Sequence, residues 1–356
     1  MSSNNNISLT IVIPFFNKGK LFGEMIESIL NNDFQDYELL AVDDGSSPET
    51  VAYINSYAEK NSRIRIITRT EFPKGAPTCR NIGLREAQGE YIVFFDSDDY
   101  ITSSCLSTRV TAIKCHHDLD FMIFPSGVYI KNIFYANANA SVYGYDVHKD
   151  VLKSFARREL PFIVCTNIYR TSSLKRYNIK WDQNLLSLQD ADFNIQSIMA
   201  GMKFEYAEAK ADYGYRISYG SETVSQKICS EEHFKSHIYA TEKFFRMFQN
   251  VYGHKYDKAI LQGAYCLYNR VYTDGINHDT VSDFVKCIRK YNKWFGIIFK
   301  MQVNITCVLE CFLPAKRARQ IPMALYLVCH YWRRKVINKN SYQKSKKIEA
   351  IFQIKP

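Results

Sequence analysis

The run Ile7-Ser8-Leu9-Thr10-Ile11-Val12-Ile13-Pro14 is apolar, rich in β-branched residues and stopped by proline. That pattern predicts a buried strand ending in a loop. Leu21, Phe22, Met25, Ile26, Ile29 and Leu30 then recur at helical spacing, so a helix packs back on the strand. A second strand follows at Tyr37 to Val42, a helix at Val51 to Ala58, and an alternating strand at Arg63 to Thr68. The Pro- and Gly-bearing loop Phe72 to Pro77 leads to a helix over Arg80 to Ala87, and Tyr91-Ile92-Val93-Phe94-Phe95 reads as a fourth strand.

Strands alternating with helices at short intervals imply crossovers and a mainly parallel sheet, whose ligands gather beyond the carboxyl ends of the strands. Three exits are polar: Pro14 to Lys18, Asp43-Asp44-Gly45-Ser46-Ser47, and Asp96-Ser97-Asp98-Asp99. From about residue 231 the pattern turns helical. Phe234, Ile238, Phe245 and Phe248 form one stripe, and Ile260, Ala264, Leu267, Tyr268 and Val271 form another. The expected organisation is an α/β domain over residues 7–225 and a helical, basic region over 226–356.

Composition supports a folded chain: 46% of the 356 residues are hydrophobic and 14% aromatic, enough for a packed core. The ten cysteines are scattered without a C-x-x-C pair, which reads as reduced, intracellular thiols. Cys115-His116-His117 reads as a surface helix end rather than a metal site, because adjacent residues are poorly disposed around one ion. Met1 to Asn6 carries no basic segment and precedes an apolar stretch too short for a signal peptide, so a cytoplasmic protein is expected. Pro314, Lys316, Arg317 and Arg319 split the most hydrophobic region, which argues against a spanning helix. The net charge of +10 is concentrated toward the C-terminus. No nucleic-acid motif accompanies that charge, so no nucleic-acid partner is expected and anionic lipid is the simpler one.

Asp96 and Asp98 stand two residues apart at the end of an apolar strand, where extended geometry sends both carboxylates to one side. Repelling carboxylates held close suit a hard divalent cation, Mn²⁺ or Mg²⁺, completed by substrate phosphates. Turn chemistry alone also places Asp at such boundaries, and it accounts for Asp43-Asp44-Gly45-Ser46 through an Asx-type turn. Asp43 is in addition well placed to accept hydrogen bonds from a base or ribose.

Four blocks in order and register make the chain resemble a family 2 glycosyltransferase of the GT-A fold, of the kind that builds bacterial surface polysaccharide. They are Ser8 to Pro14 with Phe15-Phe16-Asn17-Lys18, Val42-Asp43-Asp44-Gly45-Ser46-Ser47, Gly75 through Arg80-Asn81-Ile82-Gly83, and Tyr91 through Asp99. The resemblance covers about residues 7 to 220. It implies a nucleotide-sugar site made by Pro14, Phe16, Asn17, Lys18, Asp43, Asp44, Arg80, Asp96 and Ser97. It implies metal binding at Asp96 and Asp98, with Asp98 the direct ligand and Asp96 the ribose contact. The family's Glu-Asp pair before a helix corresponds to Gln189-Asp190, so Gln189 departs from the pattern and Asp190 is the implied catalytic base. The implied reaction is displacement with inversion from a nucleotide-sugar, UDP-linked by preference, onto a hydroxyl of a glycan or lipid-linked acceptor.

Rival chemistries fit less well. No G-x-G-x-x-G or Walker A element follows the first strand, which disfavours a nicotinamide-dependent oxidoreductase, and the glycine-rich triphosphate loop of a nucleotidyltransferase is absent. A non-catalytic carbohydrate-binding or assembly protein of the same fold is the remaining alternative, against which the intact acids argue. The C-terminal region holds the apolar runs Trp294 to Phe299 and Met323 to Val328, and the latter continues through His330-Tyr331-Trp332 to Arg333-Arg334-Lys335, apolar then aromatic then basic, the order of an interfacial segment. Peripheral attachment to the inner face of the cytoplasmic membrane is one expectation; an internal helical core or a dimer face is the other.

Overall fold

The computed structural model describes residues 7–130, 132–136, 150–216, 230–273 and 277–329, with the side chains of 266–267, 269–273 and 323–329 outside the description. Over these residues the chain divides into two compact units. The first takes in Met1–His148, Leu160–Asn184 and Gln189–Tyr219, and the second Lys149–Glu159, Leu185–Leu188 and Gly220–Pro356. The second unit therefore includes two earlier stretches that a single cut at 225/226 assigns to the α/β part.

The first unit opens with β1 (Leu9–Phe15), α1 (Gly19–Leu30), β2 (Tyr37–Asp43), α2 (Pro48–Ala58), β3 (Ile64–Thr68), α3 (Ala76–Glu86) and β4 (Tyr91–Phe94). Then follow β5 (Tyr100–Ile101), α4 (Cys105–Cys115), β6 (Phe121–Ile123), β7 (Ser126–Ile130) and β8 (Ile133–Tyr135). After α5 (Val151–Ala156), which belongs to the second unit, come β9 (Asn167–Arg170), α6 (Thr171–Arg176), α7 (Gln189–Met199), β10 (Phe204–Tyr206) and β11 (Tyr213–Arg216). Seven strands form one sheet in the order β10-β6-β9-β4-β1-β2-β3, and four form a second in the order β5-β11-β7-β8. The large sheet is parallel except for β9, which runs antiparallel to both β4 and β6.

Every residue of β1 and β2 is buried, as expected of central parallel strands covered on both faces. Glycine permits the closest approach: a Cβ at Gly83 of α3 would fall 2.3 Å from Val12 Cγ1, so the helix lies directly on β1. This helix begins at Ala76, earlier than the apolar period indicates. Pro77 occupies its first turn, where a missing N–H costs nothing, so the proline read as loop is helical. Pro48 likewise occupies the first turn of α2, whose cap Ser47 accepts from Thr50 N through its side chain.

The first unit contains a buried ion pair with no sequence signature. Arg109 on α4 is fully buried and grips Asp212 bidentately, Nε to Oδ2 at 2.8 Å and Nη2 to Oδ1 at 2.7 Å. Its remaining nitrogen donates to the Cys165 carbonyl at 2.9 Å, and Phe95 and Phe124 flank the guanidinium. The pair fastens α4 to the residue just before β11.

The second unit is helical among its described residues: α5, α8 (Glu231–Tyr252), α9 (Asp257–Thr273), α10 (His278–Tyr291), α11 (Lys293–Glu310) and α12 (Ala315–Cys329). Phe234, Phe245 and Phe248 of the first predicted stripe are buried, as are Ile260, Ala264 and Tyr268 of the second, whereas the side chains of Leu267 and Val271 lie outside the described residues. In the segment Met323 to Lys335 the side chains, and from residue 330 the backbone as well, also lie outside the described residues. Among the described residues no helix is long and apolar enough to cross a membrane. Cys79, Cys105, Cys115, Cys165, Cys287, Cys307 and Cys311 are free thiols.

Removing one partner of a buried, hydrogen-bonded charge pair leaves the other uncompensated. Asp212→Ala is expected to lower stability by about 3–5 kcal/mol, read as a shift of the urea midpoint for loss of the sheet unit's tertiary signal, with Arg109→Met/Asp212→Leu recovering part of the loss.

Candidate active site

The exits of β1, β2 and β4 meet at one end of the large sheet, because the three strands are parallel neighbours in register. The first two loops are tied together. Asn17, in the left-handed region at φ 49°, donates its N–H to Ser46 Oγ at 3.0 Å, and its Oδ1 accepts from Ser47 N at 2.8 Å. Gly45 takes φ 85°, closing the Asx turn in which Asp43 Oδ1 accepts from Ser46 N at 2.9 Å. Pro14 is buried within β1, and Phe16 is exposed on the loop with Lys74 Nζ 3.3 Å above its ring.

The two adjacent acids of the β2 exit have different surroundings. Asp44 is buried and engaged on its Oδ1 by Arg69 Nε at 2.6 Å, Gly75 N at 3.0 Å and Cys79 Sγ at 3.7 Å. Its carboxylate holds the start of α3 in place, and burial, with that carboxylate adding to it, pushes the Cys79 thiol up to about 12. Asp43 is also buried but is engaged through the turn it closes.

At the β4 exit the three acids separate into two kinds. The side chains of Asp96 and Asp98 are 38% and 37% exposed, open enough to meet a ligand. Asp96 Oδ1 accepts from Arg80 Nη2 at 2.5 Å, and Asp98 Oδ2 accepts from Lys18 Nζ at 3.1 Å. Ser97 is buried between them. Asp99 turns inward: it accepts the Tyr213 hydroxyl and, at 2.7 Å, Arg216 N, and burial pushes its carboxyl well up, with Asp98 and Asp96 adding to the effect. Arg216 Nε in turn donates to the Asp98 carbonyl at 2.6 Å, while its guanidinium pairs with Glu24 at 2.8 Å and lies over Tyr129. The end of β11 therefore clamps the acidic loop.

Arg80 lies beneath these groups rather than at the surface. It is 5% exposed, lies over Trp181 at 4.4 Å, and divides its nitrogens between Asp96 and Gln189 Oε1, the latter at 3.0 Å. It thereby joins the β4 exit to the first turn of α7. Asp190 is the next residue of that turn. Burial raises its carboxyl to about 6; Arg80 opposes the shift, Asp96 adds to it, and Val164 N, 3.4 Å away, also opposes it.

Divalent cations are commonly held by one or two carboxylates plus phosphate oxygens, and Asp96 and Asp98 are the exposed carboxylates at this exit. No cluster of three or more His, Cys, Asp or Glu side chains able to hold a metal ion by themselves occurs among the described residues.

Residues 10–208 match the family described as Glycosyl transferase family 2. The chain belongs to that family. It is 27% identical over 238 residues, 64% of its own length, to the poly(ribitol-phosphate) beta-N-acetylglucosaminyltransferase TarS of Staphylococcus aureus, of which the match covers 39%. It is 25% identical over 245 residues to the uncharacterized glycosyltransferase EpsJ of Bacillus subtilis, covering 67% of this chain and 69% of that one. The chain thus spans about two fifths of the length of the TarS relative. The crystal structure of S. aureus TarS 1–349 in complex with UDP-GlcNAc superposes with a TM-score of 0.59 over 79% of this chain and 81% of that one, at 19% identity. This likeness is one of fold, and the fold is GT-A-like.

Strand exits brought forward Asp43, Asp96 and Asp98, and the family resemblance added Lys18, Arg80 and Asp190; the structure gathers Lys18 with Asp98, and Arg80 with Asp96 and the Gln189-Asp190 turn. Tyr213, Arg216, Glu24 and Trp181 escaped it. Tyr213 and Arg216 reach the acids from more than a hundred residues away, and no spacing rule reports such contacts.

Because Arg80 opposes protonation of Asp190, its removal raises the Asp190 pKa. Arg80→Ala is expected to move the acid limb of the activity profile upward by about one to two pH units, measured as kcat/KM against pH, with Arg80→Lys intermediate.

Proposed function

We propose that this protein is an inverting glycosyltransferase that moves a sugar from a nucleotide-sugar, UDP-linked by preference, to a hydroxyl of a glycan or lipid-linked acceptor in surface-polysaccharide synthesis. The observation that carries the reading is one buried arginine shared by two acidic sites of different character. Asp96 and Asp98 are open at the end of β4, whereas Asp190, next to the Gln189 that accepts from Arg80, is desolvated and has its carboxyl raised to about 6. A leaving group and an incoming nucleophile need such a division of labour.

Donor binding falls to the loops after β1, β2 and β4. In this reading Asp43 accepts from the base or ribose, and Asn17 and Lys18 add polar groups, Lys18 being paired with Asp98. Asp98 and Asp96 would hold Mn²⁺ or Mg²⁺, which when bound supplies positive charge to the departing diphosphate. Lys18, paired with Asp98, adds a cation at the same place. Asp190 takes the proton of the acceptor hydroxyl on a carboxylate oxygen as the hydroxyl oxygen forms the bond to the anomeric carbon and the bond between that carbon and the diphosphate breaks. A carboxyl that titrates at about 6 is a stronger base than an ordinary aspartate and is still largely ionised at pH 7. Burial of the Arg80 guanidinium against Trp181 keeps that charge fixed between the two sites.

The related TarS and its S. aureus structure with UDP-GlcNAc support a UDP-linked donor and a polymeric acceptor. A peripheral location on the inner face of the cytoplasmic membrane, where a lipid-linked acceptor is met, suits the basic charge of the C-terminal region.

Calorimetric titration with UDP and then GDP, with and without Mn²⁺, is expected to show metal-dependent binding of UDP that is lost in Asp98→Ala. Binding of neither nucleotide would overturn the assignment in favour of a non-catalytic relative. Asp190→Asn is expected to keep nucleotide binding while kcat falls by roughly 10²–10⁴. In the native enzyme kcat/KM should fall as pH drops through about 6, because the protonated Asp190 carboxyl cannot accept a proton. A flat profile between pH 5 and 8 would remove Asp190 as the base.

A further inference from the structure

Large apolar side chains exposed among the described residues are unevenly distributed. Eleven are exposed, and five of them, Trp294, Met301, Ile305, Val308 and Phe312, lie on α11 or just past its end. Their spacing of seven, four, three and four residues, with half-buried Ile298 filling the first gap, aligns them along one face of the helix. Trp294 and Phe312, at the two ends, are 76% and 81% exposed. The stripe is about 27 Å long at the helical rise per residue. Scattered apolar residues are ordinary on a surface, but a continuous stripe of this length marks an interaction surface.

The opposite face of α11 is already used. Gly296, Phe299, Gln302 and Thr306 are buried, and Phe299 stacks with Tyr265, Tyr268 and Phe284 of α9 and α10. Held on that side, the helix can present its stripe to a surface but cannot insert across one.

Charge selects the occupant. Lys293 and Lys300 are exposed along one flank of the stripe, and Lys316 and Arg317 are exposed at the start of α12, which follows directly. The one acid of α11, Glu310, is engaged by Arg319 Nε at 2.7 Å and His278 Nε2 at 2.8 Å. A second copy packed on this stripe would bring lysines against lysines with no uncommitted acid on the helix to meet them. A bilayer containing anionic lipid offers apolar depth for the stripe and negative headgroups for its basic rim.

We infer that the exposed face of α11, from Trp294 to Phe312, is a docking surface for an anionic lipid bilayer, on which the helix lies parallel to the membrane plane. The inference rests on the peripheral location proposed above and assigns it to particular side chains.

The full chain is tested by flotation with phosphatidylcholine vesicles, with and without phosphatidylglycerol, alongside Ile305→Glu/Val308→Glu and Trp294→Ser/Phe312→Ser. The second pair changes the two most exposed positions, where folding is least affected. Mn²⁺-dependent UDP binding serves as the check on the sheet unit, and sedimentation reports self-association. The native protein is expected to float only with anionic vesicles, both variants to lose roughly tenfold or more in partitioning, and nucleotide binding to be unchanged. Trp294 emission, isolated by subtracting the Trp294→Phe spectrum, should shift to the blue on vesicle binding. Flotation that neither variant weakens would overturn the role of α11 while leaving a peripheral location in place. Failure of the native protein to float would overturn both. A native dimer that both variants dissociate, without vesicle binding, would assign the stripe to a second copy instead.

Discussion

The site depends on one buried cation. Several acids converge on the end of the large sheet, and without a counter-charge the desolvated ones would protonate rather than ionise together. Arg80 is placed on α3, whose close packing on β1 brings the guanidinium under Asp96 and against the Gln189-Asp190 turn. Trp181 covers its face and excludes water from it. The same charge lets Asp96 remain available at the surface and keeps Asp190 from titrating higher than it does. Two carboxyl sites of different character follow from a single residue and its packing.

The departure from the family pattern at Gln189 becomes intelligible in this setting. A neutral amide oxygen accepts one Arg80 nitrogen at 3.0 Å without adding another negative charge to a neighbourhood that already contains Asp96, Asp98, Asp99 and Asp190. A glutamate there would draw more of the arginine's charge toward α7. The second clamp, Asp99 with Tyr213 and Arg216, acts by fixing the backbone that carries Asp98. Its carboxyl is desolvated and directed at structure, so the adjacent Asp98 and Asp99 perform different tasks despite identical chemistry.

A comparable division governs the rest of the molecule. The buried Arg109–Asp212 pair joins α4 to the approach of β11, and β11 ends at the acidic loop. Stability and site geometry are linked there through backbone, so a fault in the ion pair reaches the clamp on Asp98. In the helical unit the organising forces are apolar: stacked Phe and Tyr rings fill its interior. Among the described residues, the extended apolar face of α11 left exposed contrasts with that packing.

The sequence by itself determined the alternation of strands and helices, the three polar strand exits and the change to helices after residue 230. Apolar periodicity and turn residues are local, and central strands buried on both faces leave unmistakable apolar runs. It also brought forward the acids, since Asp at the end of a buried strand is chemically conspicuous. Only the tertiary structure decided that Asp44 is a structural anchor, that Asp99 faces inward, and that Arg80, bonded to Asp96, reaches Gln189 more than a hundred residues away. It alone showed β9 running antiparallel within the sheet and the stripe of α11 lying exposed. These outcomes depend on which surfaces meet in space, and a one-dimensional pattern of apolar and polar residues records burial on average but not the partner that causes it.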